Sequence, residues 1–148
     1  MTHATSSSER SDAPSVSRFW PEAARVLVGL IFLIMGLNGF LNFLPHPATM
    51  PEKVGAFMGG LVATGYMIPL IFGVQVIVAV LLLSNRFVPL ALAIIAPVIV
   101  NIFAFHLFLL PSGFPPAAVA ILAYLYLVWV YRSVYRPMLA AHVDPLRS

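Results

Sequence analysis

The sequence predicts an all-α integral membrane protein, a four-helix bundle with a short interfacial helix between spans one and two. Three observations predict it. Hydrophobic residues make up 61% of the 148 residues and charged residues only 9%, whereas a water-soluble domain carries about 25% charged residues. The apolar residues gather into four windows, each near the roughly 20 residues that cross a bilayer core. The few charges fall almost entirely in the tails and short connections.

Residues 1–19 (MTHATSSSERSDAPSVSRF) are rich in Ser and poor in apolar groups. Such a segment cannot bury enough surface to order itself, so a disordered cytoplasmic tail is expected, with a second tail over 140–148. Span one is expected at about 22–44. It is too long for the apolar core of a secretory signal and lacks a small-residue cleavage site, so it should act as an uncleaved anchor. Arg25 lies just inside this span, where its long stem can snorkel to the headgroups.

The connection that follows is the one long one. Thr49-Met50-Pro51-Glu52 fits a capping box, in which a Thr hydroxyl and a Glu carboxylate satisfy free amides at a helix start. A helix is expected over about 50–63. Val54, Phe57, Met58, Leu61 and Val62 fall on one stripe. Gly55 and Gly59 have the small-xxx-small spacing that lets helix backbones approach, so they should pack this helix over the bundle. Gly65 should end it. Spans two, three and four are expected at about 66–84, 87–110 and 116–135. Pro69 falls in a first turn, where a missing N–H costs little. Pro97 falls mid-span and should kink the third helix. Pro115 and Pro116 suit the start of the fourth.

Four spans put both termini on one side. That side collects Arg10, Arg18, Arg25, Arg86, Arg132, Arg136 and Arg147, against Lys53 alone on the other. Basic residues favour the cytoplasmic face, so both ends are expected inside, with Trp20, Trp129, Tyr131 and Tyr135 at the interfacial belt. The formal charge of +3 is dispersed along the chain, which speaks against a nucleic-acid partner. Cysteine is absent, which excludes disulfides, thiol relays and thiolate-bound metals or clusters from this chain alone.

The polar residues within the spans are the candidate site. Counting about 1.5 Å per residue from the inner end puts Asn38 roughly 24 Å and Asn101 roughly 21 Å up their helices. Counting from the outer end, Tyr124 lies roughly 12 Å deep and Gln75 at a similar depth. Asn42 and His106 are nearer the outer headgroups. Asn38, Asn42, Gln75, Asn101, His106 and Tyr124 are therefore expected to form an outer polar layer beneath the short helix. Such side chains also hold bundles together by hydrogen bonds between helices, at about 0.6 kcal/mol for a typical pair. An ionisable group such as His106 is a functional candidate by default, with interfacial anchoring as its plainer role.

No catalytic set is visible. Besides His3 and His142 in the tails, His46 and His106 make neither a zinc site nor an evident haem pair, and no Asp or Glu inside a span completes a Ser-His-Asp set or a proton-coupled pump. No metal and no intrinsic cofactor are expected. The phenylalanines around Asn42 and His106 (Phe40, Phe43, Phe103, Phe105, Phe108) suit a flat lipophilic ring such as a quinone, and equally suit plain packing.

GLIFLIMGLNGFLNFLPHP (29–47), the stretch from ATGYMIPL to HLFLLPSG (63–113) and YRSVYRPML (131–139) resemble the DoxX family of small bacterial membrane proteins. The likeness rests on the Gly-Leu-Asn-Gly start, the Asn-Arg-Phe-Val-Pro-Leu turn and the Pro-x-x-x-Asn…His-Leu-Phe run, and it covers about 25–139. It implies a four-helix protein of the bacterial inner membrane. Some relatives accompany oxidoreductases, among them a thiosulfate:quinone oxidoreductase, and others belong to oxidative-stress complexes. Asn101 and His106 match the family's run. Gln75 stands where many relatives carry Glu, and Gly39 where many carry Lys, so a charge pair suited to proton or quinone chemistry is missing. The resemblance thus implies a non-catalytic membrane subunit or anchor of an oxidoreductase complex, with a redox partner subunit and quinone at a shared site. The competing expectations are a small permease or lipid-binding protein, and a structural protein that forms homo-oligomers through Gly29/Gly36 and Gly55/Gly59.

Overall fold

The computed structural model describes residues 16–45 and 49–139. The expectations for the remainder of both tails and for His3, His46 and His142 lie outside the described residues. All regular structure among the described residues is helical: α1 (Val16–Leu41), α2 (Glu52–Ala63), α3 (Met67–Leu83), α4 (Val88–Phe108), α5 (Phe114–Val130) and the single turn α6 (Arg132–Tyr135), with 3-10 turns at Pro111–Gly113 and Arg136–Leu139. The all-α expectation is met. Three stretches are each long and apolar enough to cross a membrane: Arg18–Leu41, Val88–Phe108 and Pro111–Val130. α3, at 17 residues, sits at the lower end of the range for a span and becomes a fourth when taken with α2, from which it is bent by 91°.

α1, α3, α4 and α5 form a closed ring in which each helix touches the next and α5 returns to α1. The register of α1 on α3 is antiparallel, for Gly29 lies against Leu83, Gly36 against Val76 and Gly39 against Phe72. Tyr124 reaches Leu92 and Phe103 meets Phe114, so α4 and α5 are antiparallel too. Fully buried Val28 and Phe32 from α1, Val78 and Leu82 from α3, Leu92 and Ile95 from α4, and Leu127 from α5 fill the centre. The outside is as apolar as the inside: Val100 is 67% exposed, Leu122 66% and Ile77 59%. A helix apolar all round belongs in the core of a large protein or in a membrane.

Local chemistry explains the turns. After α3 the Arg86 N–H bonds the Leu81 carbonyl and the Asn85 N–H the Leu82 carbonyl, a Schellman closure with Asn85 left-handed at φ 56°. Between α2 and α3, Gly65 takes φ 74°, which a residue without Cβ adopts at no steric cost. The Thr64 hydroxyl ties the same corner, donating to the Leu61 carbonyl at 2.7 Å and accepting from the Met67 N–H at 3.1 Å.

Several expectations are corrected. α1 begins at Val16, running through Pro21, and ends at Leu41, so the helix starts within the segment expected to be a disordered tail. The fourth helix breaks at Tyr131, leaving Arg132–Tyr135 as a separate turn. The capping box does not form: Pro51, with φ −54° and ψ 141°, is the residue before α2, and no side chain caps it. The box needs Thr at the cap and Glu three residues on, but Pro51 delays the helix so that Glu52 is its first residue. Gly55 and Gly59 do not pack α2 on the bundle, since nothing lies within 4 Å of where their Cβ atoms would be. Gly29 and Gly36 are spent inside the bundle against α3, so they offer no face for a second copy. Finally, Arg25 does not snorkel outward: half-buried, its guanidinium donates to the carbonyls of Leu82 and Leu83. There it meets the negative end of the α3 dipole.

Candidate functional site

The 91° corner at Gly65 lays α2 across the end of the bundle. Its apolar stripe faces inward, with Val54 buried and Phe57, Met58 and Leu61 half-buried. Under this roof is a cavity of about 150 Å³ lined by Phe57, Met58 and Leu61 of α2, by Ile68, Ile71 and Phe72 of α3, and by Asn101, Ile102, Phe105 and His106 of α4. The Phe57 ring meets Phe105 at 5.6 Å between centroids. A dry apolar cavity of about this volume is large enough to hold one benzene ring.

Two polar side chains reach this space. His106 is half-buried, and its Nδ1 lies 2.8 Å from the Ile102 carbonyl. A carbonyl only accepts, so Nδ1 carries the proton, and the neutral ring keeps its lone pair on Nε2. Nε2 has no hydrogen-bond partner among the described residues. The Nε2 and Cδ2 edge packs on Gly113, where a Cβ would come within 3.1 Å of Nε2 and 2.9 Å of Cδ2. Gly113 belongs to the wall of a second, larger cavity of about 590 Å³, which shares Met58 and Phe105 with the first and continues under the start of α2 at Thr49 and Pro51. The imidazole therefore stands between the two. Asn101 is exposed and forms part of the rim of the smaller cavity.

The other polar candidates lie elsewhere. Asn38 accepts from the Leu44 N–H at 2.7 Å, and Asn42 is left-handed at φ 49°, so both close the end of α1. Tyr124 is buried and donates to the Leu92 carbonyl at 3.1 Å, locking α5 to α4 at a level roughly 13 Å along the helix from Asn101. Tyr135 makes the analogous bond to the Pro89 carbonyl at 2.6 Å. Gln75 is buried at 6% exposure, and its Oε1 has no partner. It faces the core one turn from Phe72 and does not line the cavity. Thus the six candidates divide among a helix end, a core position, a helix-to-helix staple and one cavity that holds Asn101 and His106.

Among the described residues no three His, Asp or Glu side chains come together. The roles of Phe72 and Gly113 are not visible in the sequence. Phe72 serves twice, lining the cavity and filling the space at Gly39, and only the register of α1 on α3 shows this. The stripe on α2 was visible as helical spacing, but its use as a roof depends on the corner at Gly65.

Comparison of the chain with family models, with curated proteins and with solved structures gives no match. What the fold and site define is the class: an all-α bundle with three or four helices fit to cross a membrane and a ring-sized apolar cavity at one end.

Proposed function

We propose that the chain is a multi-pass protein of the bacterial inner membrane that serves as a DoxX-like, non-catalytic subunit of a quinone-linked oxidoreductase. The membrane part of this reading is supported by apolar helices exposed on their outer faces. The orientation, both termini cytoplasmic, is supported by the charges. Arg25 reaches the α3 end that leads into the turn bearing Arg86, and Arg132 follows α5 at that same end, while Lys53 lies on α2 at the other. That asymmetry is the positive-inside pattern.

The observation that carries the redox part is the cavity under α2. Its volume and aromatic lining fit a single quinone ring, and its polar groups suit quinone oxygens. The Asn101 amide has N–H groups for a carbonyl. His106 Nε2 accepts from a quinol hydroxyl when neutral and donates to a quinone carbonyl when protonated. A bound quinone would supply two-electron chemistry, and in this reading its electrons come from a partner subunit.

Replacing Asn101 and His106 together by Ala is expected to impair electron transfer to quinone in the complex purified from its own membrane, with insertion unchanged. Full quinone reduction by that double variant would remove the pocket from the reading. Native mass spectrometry of the wild type in mild detergent should show a companion polypeptide with a redox cofactor or a retained quinone. A lone homo-oligomer carrying only lipid would move the reading to a permease or structural protein.

A further inference from the structure

At the end of the bundle opposite α2, a groove of about 520 Å³ runs between α4 and α5. Its apolar wall is formed by Leu92, Ala93, Ala96 and Val128, and its end is bounded by Arg132 and Tyr135. The two hydroxyls that line it are already committed, Tyr124 to the Leu92 carbonyl and Tyr135 to the Pro89 carbonyl. What remains is an apolar channel with one cationic group at its mouth.

The cation is held in place. One Arg132 nitrogen donates to the Trp129 carbonyl at 2.8 Å, and the guanidinium lies 4.4 Å from the centre of the Trp129 ring, a cation–π distance. A guanidinium has five N–H donors, so the bond to Trp129 leaves most of them free. Arg132 follows the span Pro111–Val130 by two positions, which puts it at headgroup depth if that span crosses a bilayer core of about 30 Å.

We infer that this groove binds an anionic glycerophospholipid, with an acyl chain along the apolar wall and the phosphate at Arg132. The inference rests on the membrane reading above and is independent of the quinone cavity. The charge complementarity at the mouth selects an anionic headgroup over a zwitterionic one, because an added ammonium would meet the guanidinium with like charge. Basic groups on the cytoplasmic side of membrane helices act on anionic lipid in this way.

Trp129 lies outside the groove lining but holds Arg132, so it reports on lipid at the phosphate end of the site. The full chain carrying Trp20→Phe, which leaves Trp129 as the single tryptophan of the two present, is reconstituted in phosphatidylcholine vesicles with brominated phosphatidylglycerol or brominated phosphatidylcholine at equal mole fraction. Brominated phosphatidylglycerol should quench Trp129 with an apparent affinity about fivefold higher, the effect of one basic residue near an anionic surface. Arg132→Gln should abolish the preference, and Arg86→Gln, in the α3–α4 turn, should keep it. Ala93→Leu, at an exposed position in the groove wall, should weaken quenching with every charge intact. Equal quenching by the two lipids in the wild type, or equal losses in the Arg86 and Arg132 variants, would overturn the site in favour of a diffuse surface charge. No quenching by either lipid would instead overturn the membrane reading itself.

Discussion

Two helices carry glycines at helical spacing and use them in opposite ways. On α1, Gly29, Gly36 and Gly39 are filled by α3: added Cβ atoms would come within 2.9 Å of the Leu83 side chain and 2.8 Å of Val76, and at Gly39 would overlap the Phe72 ring. On α2, nothing lies within 4 Å of such an atom at Gly55, Gly59 or Gly60. The difference comes from direction. α1 runs antiparallel beside α3 for most of its length, so each glycine meets a residue of the neighbour. α2 turns away from α3 by 91° and touches the bundle through its apolar stripe alone, leaving the glycine face outward. Small-xxx-small spacing permits close approach but does not say which element will approach.

Gly36 is the most rigidly held of these positions, for an added Cβ there also comes within 3.0 Å of the Val76 backbone nitrogen and 3.1 Å of the Phe72 carbonyl. Backbone cannot swing aside as a side-chain tip can. Gly36→Val is therefore expected to cost about 1–3 kcal/mol, the usual penalty for overpacking, read as a lower midpoint of thermal unfolding in detergent. An unchanged midpoint would show that α1 and α3 do not pack in this register.

A gain of similar or smaller size is expected on the facing helix. Gln75 is buried in the core with Oε1 unpaired, and an unsatisfied buried polar atom costs about 1–3 kcal/mol. Gln75→Met keeps the length of the side chain and removes the amide, so the midpoint should rise. A fall would mean that the amide is engaged by a group bound in the core, and Gln75 would then rejoin the functional candidates.

Hydropathy made much of this architecture legible, because length and uninterrupted apolar character are properties of the chain alone. α3 and α4 were expected at 66–84 and 87–110 and lie at Met67–Leu83 and Val88–Phe108. What depends on a neighbour was not legible. Arg25 reads as a snorkelling residue until the end of α3 is seen to arrive beside it with its last carbonyls. Asn38 and Asn42 read as members of a polar layer if the first helix continues unbroken to residue 44. That helix ends at Leu41, and both amides serve its end. Asn101 and His106 stood out by residue type, yet the cavity they share requires the corner at Gly65 and the roof it creates.

The open glycine face of α2 should respond more weakly to substitution. A glycine inside an exposed helix costs about 0.5–1 kcal/mol relative to alanine, chiefly through the freedom it loses on folding. With open space at both positions, Gly55→Ala and Gly59→Ala together should stabilise α2 by about 1–2 kcal/mol. Because α2 packs less extensively than the four long helices, it is expected to open locally, and the gain belongs to that opening more than to the global midpoint. Amide exchange over Glu52–Ala63 should slow by about 5–30-fold, while exchange in α1 and α3 stays as it was. If the glycine face of α2 instead packs on a second copy of the chain, the two methyl groups would hold the helices apart. Exchange would then quicken and the oligomer weaken, and α2 would have to be counted with α1 as a helix whose glycines are filled by a neighbour.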